Sequence, residues 1–60
     1  MNRISIVIPM YNEARHIGRT LLAARKAAVA AGVECELIVV DNGSDDHGPQ
    51  IARQFGAQVL

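Results

Sequence analysis

Two apolar runs, each ending abruptly in polar residues, set the rhythm of the chain. Ile4-Ser5-Ile6-Val7-Ile8 is rich in β-branched residues, with Ile4, Ile6 and Ile8 on one face and Ser5 and Val7 on the other. Pro9 has no N–H for a ladder and is expected to end that strand. The second run, Leu37-Ile38-Val39-Val40, is continuous, a pattern that suits a strand covered on both faces in a parallel sheet. Between them the period changes. Ile17, Leu21, Ala24 and Ala28 recur at helical spacing, Leu22 and Val29 widen the stripe, and a helix is predicted from Ala14 to Ala31. Asn12 is a credible N-cap, Glu13 then falls in the first turn, and Gly32 ends the helix in a left-handed turn. Gly18 weakens the helix interior, and its missing side chain is expected to admit a neighbouring element. After the second strand, Asp45 or Asp46 can cap another helix, with Pro49 in its first turn and Ile51, Phe55 and Ala52 on its apolar face. Gly56 stops it, and Ala57–Leu60 opens a third strand.

The order strand, helix, strand, helix, strand builds a parallel sheet with right-handed crossovers. The predicted class is α/β, doubly wound and Rossmann-like, with spatial strand order 3-2-1. Three strands and two helices leave apolar faces uncovered. Residues 1–60 are therefore expected to be the incomplete N-terminal part of a larger domain, and the isolated chain to self-associate.

Composition narrows the function classes. Six basic and six acidic side chains cancel, so there is no electrostatic footprint for nucleic acid or an anionic membrane. One cysteine, Cys35, excludes an intrachain disulfide and fits a reducing, cytoplasmic setting. No apolar run approaches the roughly 20 residues of a membrane helix.

Candidate chemistry lies where the strands end. In open α/β sheets ligands bind at the carboxyl ends of the strands, and both apolar runs there give way to polar residues. Pro9-Met10-Tyr11-Asn12-Glu13 follows the first, and Asp41-Asn42-Gly43-Ser44-Asp45-Asp46 the second. Asp41 sits on the rim either as a ligand acceptor or as the cap of a nearby turn, and Gly43 lets the chain turn sharply. Neither loop holds the G-x-G-x-x-G of a dinucleotide site or the G-x-x-x-x-G-K-[ST] of a P-loop. His16 and His47 are isolated and read as exposed, and Cys35 has no activating neighbour in sequence. Arg15, Arg19, Arg25 and Lys26 read as a solvated helix face.

The two motifs together, Ser5-Ile6-Val7-Ile8-Pro9-Met10-Tyr11-Asn12-Glu13 and Glu36 through Asp46, resemble the start of a family-two glycosyltransferase of the GT-A fold, the group that includes dolichol-phosphate mannosyltransferases. That resemblance implies a parent enzyme moving a sugar from a nucleotide-diphospho-sugar donor to an acceptor, which the sequence does not name. It implies that Pro9, Tyr11 and Glu13 form one wall of the nucleotide pocket, and Asp41 with Asn42 the other. Many relatives carry Asp where this chain has Asn42, which leaves uracil and guanine both open as the base. The resemblance also implies a divalent metal, manganese or magnesium, and a catalytic base, both supplied by residues outside this chain. Asp45 and Asp46 gain no metal role from it. Membrane association of the parent is compatible with the family. The competing reading is a non-enzymatic α/β fragment that binds nucleotide weakly or associates with itself.

Overall fold

The computed structural model describes residues 2–60 and orders them as β1 (Arg3–Met10), α1 (Ile17–Ala31), β2 (Glu34–Asp41), α2 (Gly48–Gln54) and β3 (Gln58–Val59). The strands lie in the order β1-β2-β3, all parallel, which is the expected order read from the other edge. Leu60 continues the ladder beyond β3, donating its N–H to Val39 O at 2.9 Å and accepting that of Asp41 at 2.9 Å.

Pro9 does not end β1. The strand runs on to Met10, and backbone parity explains why. The carbonyls of Asn2 and Met10 accept from Glu34 N (2.9 Å) and Asn42 N (2.8 Å). Even-numbered residues of β1 thus turn their backbone groups toward β2, and odd-numbered ones toward the open edge. The N–H that Pro9 lacks falls on that edge, where no ladder bond is lost. β2 likewise begins earlier than its apolar run, at Glu34 rather than Leu37, because pairing with β1 extends from Arg3↔Glu34 to Met10↔Asp41.

The core occupies one face of the sheet. Ile17 and Leu21 of α1, Ala52 of α2, Met10, Leu37, Val39 and Ala57 form it, with Ile6, Ile8, Ala24, Ile51 and Val59 packed around. Leu21 and Val39 are fully buried, each a contribution of about 1.5–3 kcal/mol by the usual scale for side chains of this size. Two right-handed crossovers stepping the same way across a sheet put both helices on the same side. Among the described residues no helix covers the other face, where Ser5, Val7 and Pro9 are exposed and Ile38 and Val40 half-buried. The double winding and two-sided cover expected of β2 are therefore realised on one side here.

Two helix details also depart from the pattern. Leu22 and Val29 are exposed, so the buried stripe of α1 is narrow, Ile17, Leu21 and Ala28. In α2 Gly48 and Ala52 are buried, while Phe55 stays 40% exposed and lays its ring over Gly18. A Cβ at Gly18 would stand 2.9 Å from Phe55 Cε1, so the missing side chain does admit a neighbour. Arg25 is exposed as expected and donates to Phe55 O at 3.0 Å, at the C-terminus of α2. Gly32 ends α1 as expected, left-handed at φ +71°. No helix among the described residues is long and apolar enough to cross a membrane.

Candidate functional site

Met10 pairs with Asp41, so β1 and β2 end level and their following loops stand side by side. The first loop differs from its predicted form. A turn precedes the helix: Glu13 O accepts from His16 N (2.9 Å) and Ile17 N (2.8 Å), and α1 starts at Ile17 with His16 at the N-cap position. Asn12 is therefore not the cap, and Glu13 stands ahead of the first helical turn, exposed. Asn12 instead takes a left-handed conformation, φ +51°, which asparagine tolerates better than most residues. Its N–H donates to Ser44 Oγ at 2.9 Å, and its Oδ1 accepts from Asp45 N at 2.7 Å.

The second loop is folded around carboxylates. Asp41 is half-buried, and its Oδ1 accepts from both Ser44 N (3.2 Å) and Ser44 Oγ. Asp41 does close the turn that follows it, with Gly43 at φ +88° supplying the reversal. Its Oδ2 has no hydrogen-bond partner among the described residues and remains an acceptor. Asp46 rather than Asp45 serves the next helix. Its Oδ1 takes the N–H of Gly48 (2.8 Å), the first residue of α2, and its Oδ2 reaches back to Ala14 N (3.1 Å) in the first loop.

The predicted residues are thus brought to one end of the sheet in two groups. Pro9 and Glu13 line a hollow of about 170 Å³ with Ile8, Met10 and His16. Asp41 and Asn42 stand on the neighbouring loop, Asn42 tied to β1 through its N–H and exposed in its side chain. Tyr11 lies on the first loop, 57% exposed, its ring outside the core. A larger hollow, about 550 Å³, lies at the opposite end beside Arg3, Val33, Glu34 and Cys35. It gathers no loop carboxylates, and the strand-end rule favours the smaller one.

Three cross-loop roles were not anticipated from sequence, those of Asn12, Ser44 and the second oxygen of Asp46. The signal for Ser44 was its spacing, three residues after a strand-end Asp, which is that of a side-chain-closed turn. The signal for Asn12 was its left-handed tolerance. Chemically, the site offers a fixed acceptor in Asp41, an amide with donors and an acceptor in Asn42, and a flat ring in Tyr11. Among the described residues no group of three or more His, Cys, Asp and Glu side chains is placed to hold a metal ion. Both oxygens of Asp46 are already occupied by backbone N–H groups.

Comparison with known proteins follows from the same residues. The sequence model of "Glycosyl transferase family 2" matches residues 5–60. Glycosyltransferase AglE of Haloferax volcanii is 44% identical over 52 residues, which are 87% of this chain and 17% of that protein. The undecaprenyl-phosphate 4-deoxy-4-formamido-L-arabinose transferase of Proteus mirabilis is 35% identical over 54 residues, 90% of this chain and again 17% of the relative. The crystal structure of M. tuberculosis glucosyl-3-phosphoglycerate synthase matches 98% of this chain and 21% of its own, with a TM-score of 0.73 at 36% identity. A second structure, of a mycobacterial protein, gives a TM-score of 0.76 at 36% identity, over 98% of this chain and 19% of its own. The chain thus spans 17% of the length of these two curated relatives.

Proposed function

The chain belongs to glycosyl transferase family 2 and carries the opening β-α-β-α-β of a GT-A fold, and we propose that it forms the nucleotide half of a sugar transferase's donor site. In this reading the nucleotide of a nucleotide-diphospho-sugar lies across the two strand-end loops. Asp41 Oδ2 accepts from a base imide or a ribose hydroxyl, and Asn42 supplies an amide beside it. Tyr11 presents its ring to the base, Glu13 takes a ribose hydroxyl, and Pro9 walls the hollow below. The observation that carries this reading is the state of Asp41. One oxygen is fixed by Ser44 and the other has no hydrogen-bond partner among the described residues, on the rim of a strand end where ligands bind.

These residues bind; the chemical step belongs elsewhere in the whole protein. The diphosphate leaving group calls for positive charge such as a divalent metal, and the described residues offer it no ligand set. The relatives' names point the same way. One name contains undecaprenyl phosphate and another glucosyl-3-phosphoglycerate, yet both proteins hold a segment similar to this one. Donor binding is the function common to such a segment, with acceptor choice made by other parts of the protein. A cytoplasmic setting completes the proposal, on the free cysteine Cys35.

Asp41→Ala in the complete protein tests it. Calorimetric titration with uridine and guanosine diphosphates should show affinity falling by about 1.5–3 kcal/mol, the range for a hydrogen bond to a charged group. Unchanged affinity for whichever nucleotide binds would remove Asp41 from the pocket.

A further inference from the structure

Ser44 and Asn12 join the two loops in a reciprocal pair. The N–H of Asn12 donates to Ser44 Oγ at 2.9 Å, and the N–H of the next residue, Asp45, donates back to Asn12 Oδ1 at 2.7 Å. Ser44 Oγ spends its own proton on Asp41 Oδ1, and Ser44 N donates to the same oxygen. One hydroxyl therefore connects the first loop's backbone to the carboxylate of the second.

We infer that Asn12 and Ser44 are positioning residues for nucleotide binding, setting Asp41 and the backbone of Tyr11 in register before a ligand arrives. The inference rests on reading this site as a nucleotide pocket. Two donors on Oδ1 stop the carboxylate from rotating and turn Oδ2 into a fixed acceptor. The left-handed turn at Asn12, unfavourable for most side chains, is held by the two bonds Asn12 makes to the second loop. Tyr11 immediately precedes that turn, so its backbone is held as well. A pocket whose walls are already ordered loses less freedom on binding, and this is how a residue that never touches the ligand raises affinity. The second loop's other tie, Asp46 to Ala14 N at 3.1 Å, holds the base of the first loop, while the Asp41 carboxylate is held by Ser44.

A positioning role differs from a general structural one by its coupling to Asp41. In the complete protein, Ser44→Ala is expected to raise the Kd of the nucleotide diphosphate that binds, uridine or guanosine, about ten-fold by isothermal titration. Ser44→Thr, which keeps the hydroxyl, should stay within about two-fold of the parent protein. Asn12→Gly keeps the left-handed turn but loses the acceptor for Asp45 N, and should weaken binding in the same direction. The deciding measurement is the double-mutant cycle: in an Asp41→Ala background, Ser44→Ala should change Kd by less than about two-fold. A full ten-fold loss in that background would overturn the inference, because Ser44 would then act independently of Asp41. So would an unchanged Kd in Ser44→Ala while Asp41→Ala weakens binding, and in that case the pocket reading survives. If Asp41→Ala leaves binding intact, or neither nucleotide binds the parent protein, the pocket reading falls and the inference falls with it.

Discussion

The two ends of this sheet carry similar kinds of residue and do different things with them. At the amino end, Arg3 and Glu36 form an ion pair at 3.3 Å, with side chains 66% and 36% exposed, beside the larger hollow. At the carboxyl end the hollow is smaller, but two of the loop carboxylates beside it are fixed by N–H or O–H donors. Asp41 is held by Ser44, and Asp46 by Ala14 and Gly48. The amino end is bounded by strand starts and a helix end, where water competes for the charges. The carboxyl end is bounded by two loops that satisfy one another. Under the proposed reading it is convergent, immobilised polar groups, and not volume, that mark the site.

If that contrast is right, disturbing the carboxyl end has consequences that disturbing the amino end does not. The largest stability effect is expected at Gly48. A Cβ there would sit 2.9 Å from Asp46 Oδ1 and 3.2 Å from the buried Met10 sulfur. Gly48→Ala must push aside the carboxylate that ties the loops or strain the packing against Met10. Denaturant unfolding of the complete protein should show a loss of about 1–3 kcal/mol. A neutral Gly48→Ala would mean the loop ties are slack and the contrast between the ends overstated.

Tyr11→Ala tests the same contrast through function. Tyr11 is exposed and outside the core, so its loss should leave the fold intact. Under the proposed role, donor KM should rise about ten-fold, roughly 1.4 kcal/mol, with only a modest fall in kcat, the signature of lost ground-state binding. A large kcat loss at saturating donor would instead place Tyr11 in the chemical step.

The smallest effect is expected at the amino end. Arg3→Ala removes an exposed ion pair and should change stability by less than about 1 kcal/mol, with nucleotide affinity untouched. A clear loss of nucleotide binding there would break the comparison outright, since it would make the larger hollow functional.

How much of this was legible beforehand depends on the range of the interaction. Ile17, Leu21 and Ala28 declare themselves by period, and they are buried. Gly32, Pro49 and the void at Gly18 were read correctly because each follows from the local chemistry of one residue. Pro9 was misread because a missing N–H ends a strand only if it faces the partner, and that depends on which edge of β1 is paired. The spacing in α2 places Phe55 on the core face, but Ala52 is the residue buried in the core, and the Phe55 ring goes to Gly18 of the other helix.

The site divides along the same line. By itself the sequence determined the strand-helix order, the strand-end position of Asp41, and the family, since these rest on apolar period, turn chemistry and motif spacing along one chain. Only the tertiary structure decided that Asn12 would leave the helix cap for Ser44 and Asp45, and that Ser44 would bond Asp41 and Asn12 at once. It also decided that Asp46 would hold both loops, and that both helices would share one face. The cross-loop bonds among them join residues some thirty positions apart. They depend on the parallel register that sets Met10 level with Asp41, and a local pattern carries no information about which distant donor will come within reach.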